Sequence, residues 1–385
     1  MFQYSSLPLF QSLCVLRFPG SKFPPHNSNI PVSERGPWLF SRRADFWLAC
    51  GGAPVGLMAG ILLIFLHGDR ELDALDLVLS EFHLGATYGA IIRQRLWRQR
   101  RFELLFIPIV ILGVTYALSL GGQSIILTSI AMYAAVWHRG RQSLGVARFY
   151  QRGAGGPISR THGALFRGAI YLPMSAAVLA YIHLAPNQYD GEPYLALRLG
   201  AEATGLIGIA ATLWVITYLI WTLRQSRGER PVFASRDNAS GVHPGERWAV
   251  LAHALAFGSA YLLGATHASF ILVLAVHHEV QYLYFAYAME RRAESLPENN
   301  SADGERAIAS FNSEPFNERS GEFRTELARI ADFLRWPIIG FVGAVAGGWL
   351  ELAWLAPLGV GGLFCHYWLD GRIWTRRTPG LKRWR

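Results

Sequence analysis

Runs of about 20 predominantly apolar residues recur along most of this chain, and that is the length an α-helix needs to cross the hydrocarbon core of a bilayer. Ten candidates can be read, near 44–66, 73–92, 102–120, 123–143, 163–185, 200–223, 247–266, 267–289, 331–348 and 350–369. In hydrocarbon every backbone N–H and C=O must be satisfied within the chain, so such runs specify helices. The expected fold is therefore all-α, a polytopic transmembrane helix bundle of about 8–10 spans. Composition agrees, because only 16% of the residues are charged, against about 25% in soluble proteins. The seventh and eighth candidates are almost continuous, with Gly264 and Thr266 as the sign of a turn. The ninth carries Arg335 and Pro337, which suits a tilted or interfacial helix. Small residues in GLIGIAA and GFVGAVAGG suit close helix packing in lipid.

The net charge of +9 raises the question of nucleic acid. The arginines answer it by position: they sit in short connections, as cytoplasmic anchors of membrane helices do, so no nucleic-acid partner is expected. RQRLWRQRR at 93–101, the arginines at 139–152, RQSRGER at 224–230, the 290–328 loop and the terminal RIWTRR…KRWR all follow even-numbered candidates. The connections between them are acidic or neutral, as in DRELDALD and APNQYDGEP. This alternation places both termini in the cytoplasm and the protein in a cell inner membrane, multi-pass. Four regions follow: a disordered segment 1–37, a first transmembrane part 38–289, a flexible cytoplasmic loop 290–328, and a C-terminal hairpin with a basic tail, 329–385. Three cysteines (Cys14, Cys50, Cys365) form no disulfide or thiolate-zinc spacing.

Polar groups inside these runs are costly unless they face one another or a metal. The stretch ATHASFILVLAVHHEVQYLY holds His277, His278, Glu279 and Gln281 well inside a span. His83 lies in LSEFHLGATY, His138 in WHRGRQSLGVARFY and His366 in FCHYWLDGRIW. On the expected topology His83, His277 and His278 are near mid-membrane, and His138 and His366 near the cytoplasmic ends of their helices. His83, His138, His277, His278 and His366 are therefore candidate metal ligands. Glu81, Glu279, Gln281 and Asp370 are candidate further ligands, proton acceptors or orienters of the imidazoles. Imidazole with carboxylate suits non-haem iron, and imidazole alone also suits zinc or copper. Arg141 beside Gln142 is a candidate cofactor-binding pair for a lipid phosphate, although arginines there also serve as plain anchors. A lone intramembrane histidine is commonly only a hydrogen bonder between helices; four polar groups in five residues exceed that need.

The pieces His83-x-x-x-Thr87-Tyr88, His138-x-x-Arg141-Gln142-x-x-Gly145 with Tyr150, and His278-x-x-Gln281-Tyr282 resemble a group of uncharacterised bacterial multipass membrane proteins. SEFHLG is similar to the histidine segment of the bacterial β-carotene-cleaving dioxygenases, and that resemblance implies a multispan, histidine-ligated iron enzyme. Their remaining histidine motifs do not occur here. The HxxxH and HxxHH boxes of membrane desaturases and hydroxylases are absent, as are P-loop, nucleophile-elbow and dinucleotide fingerprints. The expected function is a metal-dependent membrane oxidoreductase of the hydroxylase, desaturase or cleavage type, acting on a lipid or isoprenoid. Its partners would be membrane lipids and a hydrophobic small molecule. A proton-coupled transporter and a non-catalytic membrane scaffold are the rival readings. The orientation can be tested by cysteine-accessibility labelling. Positions in 93–101 and 290–328 should be shielded from an impermeant external reagent and positions near Asp190 labelled; the reverse pattern rejects the orientation.

Overall fold

The computed structural model describes residues 38–39, 41–66, 69–93, 96–153, 158–184, 188–189, 192–226, 242–265, 267–294, 327–339, 342 and 356–373. The expected N-terminal segment 1–37, most of the loop 290–328 and the basic tail lie outside the described residues. Among the described residues the architecture is all-helical apart from one antiparallel ladder of two residues a side, Gln188–Tyr189 (β1) with Glu192–Pro193 (β2). The helices are α1 (Arg42–Cys50), α2 (Gly52–Leu66), α3 (Asp69–Arg93), α4 (Leu96–Gln99), α5 (Phe102–Leu120) and α6 (Ser124–Gly153). They continue with α7 (Arg160–Leu184), α8 (Ala201–Ser226), α9 (Pro244–Gly258), α10 (Ile271–Glu294), α11 (327–339) and α12 (Ala356–Ile373).

Among the described residues three helices, α5, α7 and α8, are long and apolar enough to cross a membrane, and α1 with α2 makes a fourth if that bent pair is one span. The bend is 53° and falls at Gly51, after the π-helical turns Asp45–Cys50. The helices α3, α6, α10 and α12 coincide with apolar runs of the sequence but carry acids, arginines or histidines among them. Outward faces of α5 and α8 expose Ile109, Val114, Leu206, Ile209 and Leu213. Apolar residues presented so densely need an apolar surrounding.

Two readings of the sequence change. The arginines at 139–152 are not a loop; they lie in α6, which runs unbroken to Gly153. Leu144, Val146, Ala147 and Tyr150 are buried between those arginines, so the helix keeps an inward face through the basic stretch. His138 is consequently mid-helix rather than near an end. The seventh and eighth candidates do separate: α9 passes through a π-helical turn, Ser259–Leu263, into a tight reversal in which Gly264 N–H donates to Ser259 O. A Cβ on Gly264 would sit 1.9 Å from Ala260 O, so only glycine fits there.

The centre of the bundle is α10, which packs against α2, α3, α6, α9 and the π-helical turns of α1. Its contact with α2 is backbone to backbone. Gly52, Gly56 and Gly60 recur every fourth residue, and added Cβ atoms would lie 3.0 Å from His277 Cα, 2.9 Å from Val273 Cα and 3.3 Å from Ser269 O. Such a stripe of small residues lets two helices approach where lipid supplies little hydrophobic drive. On another side α11 meets α3, with Cβ positions of Gly85 and Gly89 only 2.5 Å from Pro337 Cα and 2.9 Å from Trp336 Cβ. Arg335 and Pro337 of the ninth candidate are thus on a helix that packs against α3.

Buried polar networks fix the remaining helices. Asp45, fully buried, accepts hydrogen bonds from Leu39 N–H (2.6 Å), Tyr150 OH (2.8 Å) and Tyr284 OH (2.5 Å), tying α1 to α6 and α10. Glu246 Oε1 meets His162 Nε2 at 2.6 Å and accepts from Tyr218 OH at 2.8 Å, joining α9 to α7 and α8. The packing yields a prediction for Gly56→Leu. Overpacking a close contact costs about 1–3 kcal/mol, so this variant should unfold at lower temperature in detergent. Gly113→Leu should not, because nothing lies within 4 Å of a Cβ there. Equal melting of the two would remove the stripe as a packing device.

Candidate metal centre

Four helices bring one polar side chain group each to a common point: His83 and Thr87 from α3, His138 from α6, His278, Glu279 and Tyr282 from α10, and His366 and Asp370 from α12. The spacings are helical. Residues four apart share a face, which pairs His83 with Thr87, His278 with Tyr282, and His366 with Asp370. All eight are buried.

His83 Nε2 and His366 Nε2 are 2.6 Å apart. Two imidazole lone pairs do not tolerate that distance, so a proton or a cation must lie between them. Asp370 Oδ2 is 3.7 Å from each of His83 Nε2, His138 Nε2 and His366 Nε2. Around a tetrahedral ion with bonds of about 2.0–2.1 Å, donors are about 3.4 Å apart. The three edges from Asp370 Oδ2 are therefore within a few tenths of an ångström of that spacing, and the His83–His366 edge is shorter than it. Their ligand atoms all lie within 4.8 Å of one another. The other oxygen of Asp370 is held: Oδ1 accepts from Thr87 Oγ1 at 2.8 Å and from Tyr282 OH at 2.9 Å. That leaves Oδ2 directed at the imidazoles.

On the far side of the His83 ring, Nδ1 lies 2.6 Å from Glu279 Oε2. The contact is close, but it is not aligned as a hydrogen bond. The His278 ring leans over His83, with centroids 4.7 Å apart and planes at 31°, and meets His138 edge-on at 5.0 Å. Tyr282 packs on His83 at 3.9 Å, and Tyr367 stacks on His138 at 4.5 Å. The imidazoles are thus clamped by aromatic faces as well as by carboxylates.

Of the residues singled out from sequence, His83, His138, His278, His366, Glu279 and Asp370 come together. His277 does not join them: it stands on the side of α10 that meets Gly52, and neither of its ring nitrogens has a hydrogen-bond partner among the described residues. Gln281 is fully buried and donates to Ala49 O at 2.7 Å, while Gln142 donates to His278 O at 2.7 Å. Both amides therefore act as struts between helices. Arg141 is exposed and Glu81 half-buried, and neither is among the converging donors. Thr87 and Tyr282 received no role from sequence, although each lies four residues after a candidate histidine, and that spacing is the signal that reveals them.

No protein-family model, no curated protein and no solved structure matches this chain. Function is read from the site alone. The arrangement can hold a cation between imidazole and carboxylate donors, and it can pass a proton between them. Loss of a group that orients a ligand typically costs about 10–100-fold in metal affinity. Tyr282→Phe, which removes one of the two donors to Asp370 Oδ1, should weaken retention of added Zn(II) by that factor in equilibrium dialysis. Unchanged affinity would make Tyr282 a packing residue.

Proposed function

We propose that this chain is a multi-pass protein of a cell inner membrane, with both termini cytoplasmic, and that its buried histidine–carboxylate cluster binds a transition-metal ion. The observation that carries the reading is the convergence of three imidazole nitrogens on Asp370 Oδ2 at 3.7 Å inside the bundle. An imidazole-rich set with one carboxylate suits non-haem iron, and zinc or copper also accept it. The residues fit a metal by a second criterion: ligating groups are usually held from behind by hydrogen-bonding partners, and Thr87 and Tyr282 hold Asp370 in this way.

The reaction class that fits best is oxidation of a lipid or isoprenoid entering from the bilayer, such as hydroxylation, desaturation or cleavage. The metal, when bound, would supply the redox chemistry. The chain supplies the surroundings: burial excludes water from the imidazoles, Tyr282 OH keeps a proton at Asp370 Oδ1, and Glu279 places a negative charge beside His83. The same Glu279–His83–His366 contacts suit a proton relay, which keeps a proton-coupled transporter as the rival.

Elemental analysis of the purified full-length protein separates these. Stoichiometric iron, zinc or copper should be present, should fall in His366→Leu, and should persist in His277→Leu. Metal-free wild type, or metal kept in His366→Leu, would favour the relay or a purely structural cluster.

A further inference from the structure

The fold gives each ring nitrogen of His83 its own set of donors. Nε2 faces His366 and Asp370. Nδ1, across the ring, faces Glu279. One donor atom from each of His83, His278 and Glu279 lies within 4.8 Å of the others, and this group shares only His83 with the group of His83, His138, His366 and Asp370.

Glu279 does not behave as a carboxylate that merely orients an imidazole. An orienting acceptor lies along the ring N–H direction and forms a hydrogen bond. Here His83 Nδ1 and Glu279 Oε2 are both buried and meet in an ion-pair contact at 2.6 Å that lies off the line of a ring N–H. A carboxylate set off the ring N–H direction is placed as a neighbouring ligand of one cation is placed, rather than as an acceptor behind the ring. His278 adds a third donor within 4.8 Å of one on His83 and one on Glu279, whereas an orienting contact needs only one acceptor.

We propose that His83 Nδ1, His278 and Glu279 form a second metal position, joined to the first through the His83 ring as a bridging imidazolate. This rests on the reading of the first group as a metal site. An imidazole bound at both nitrogens has lost its ring proton, which leaves to solvent as the metal binds. With bonds of about 2.0–2.1 Å on opposite sides of one ring, the two ions stand about 6 Å apart. Asp370, Glu279 and the imidazolate together nearly neutralise two divalent cations, and one hydroxide completes the balance. Imidazole and carboxylate donors suit copper, zinc or iron at the second position as at the first.

Tag-free full-length protein in detergent, loaded with Cu(II), desalted, and measured for copper per chain and by electron paramagnetic resonance, tests this. Wild type should retain two copper ions per chain with an exchange-coupled spectrum. Glu279→Gln and His278→Gln should each retain one, with the spectrum of isolated Cu(II). One copper in wild type overturns the second position; if that copper survives in Glu279→Gln, the first site stands. Two coppers unaffected by either variant also overturn it. No retained copper overturns both sites. Should Glu279→Gln fail to fold, His278→Gln and the wild-type spectrum decide.

Discussion

Two carboxylates and four imidazoles, all buried, cannot be stable except in each other's company. An isolated carboxylate in an apolar interior costs several kcal/mol even after relaxation. Asp370 answers that cost with Thr87, Tyr282 and three imidazoles, and Glu279 with His83. The rest of the bundle serves this constraint. Four helices must deliver polar side chains to the same depth: α3, α10 and α12 each present a pair spaced by one helical turn, and α6 presents His138. A cation at the centre would convert a crowded set of acceptors into a coordination sphere.

The strength of α10's seat has a different origin. On one side it meets α2 at a stripe of glycines, and on others it is held by polar ties to α1 and α6. Lipid offers helices little hydrophobic reason to associate, so close backbone approach and buried hydrogen bonds take over that work. The helices α5 and α8, long and apolar enough to cross a membrane, instead present apolar side chains outward.

Much of this was legible in the sequence. Apolar run length gave the all-helical architecture, and the histidines inside those runs gave most of the candidate site: His83, His138, His278, His366, Glu279 and Asp370. Three things were not legible. The arginines after His138 look like a loop because charge dominates their stretch, while the buried Leu144, Val146, Ala147 and Tyr150 that keep the helix inward are inconspicuous among them. Asp45, Glu246 and His162 lie at the ends of apolar runs, where polar residues are expected anyway, so their burial in networks left no mark on the pattern. Nor can sequence separate His277 from His278, since the two are neighbours in one polar cluster and only packing tells which faces inward.

That last distinction gives the struts of α10 a meaning beyond stability. Successive residues on an α-helix point about 100° apart, so His277 and His278 are exchanged by roughly a quarter turn of the rod on which they sit. The hydrogen bonds from Gln281 to Ala49 O and from Gln142 to His278 O work as a rotational index. They select one imidazole of an adjacent pair for the cluster and turn the other towards the glycine seam. A π-helical stretch on α1 carries the carbonyl that receives Gln281, so irregular winding in one helix sets the angular reading of another. The chemistry of the site then depends on a groove, a notch and a choice between two identical side chains.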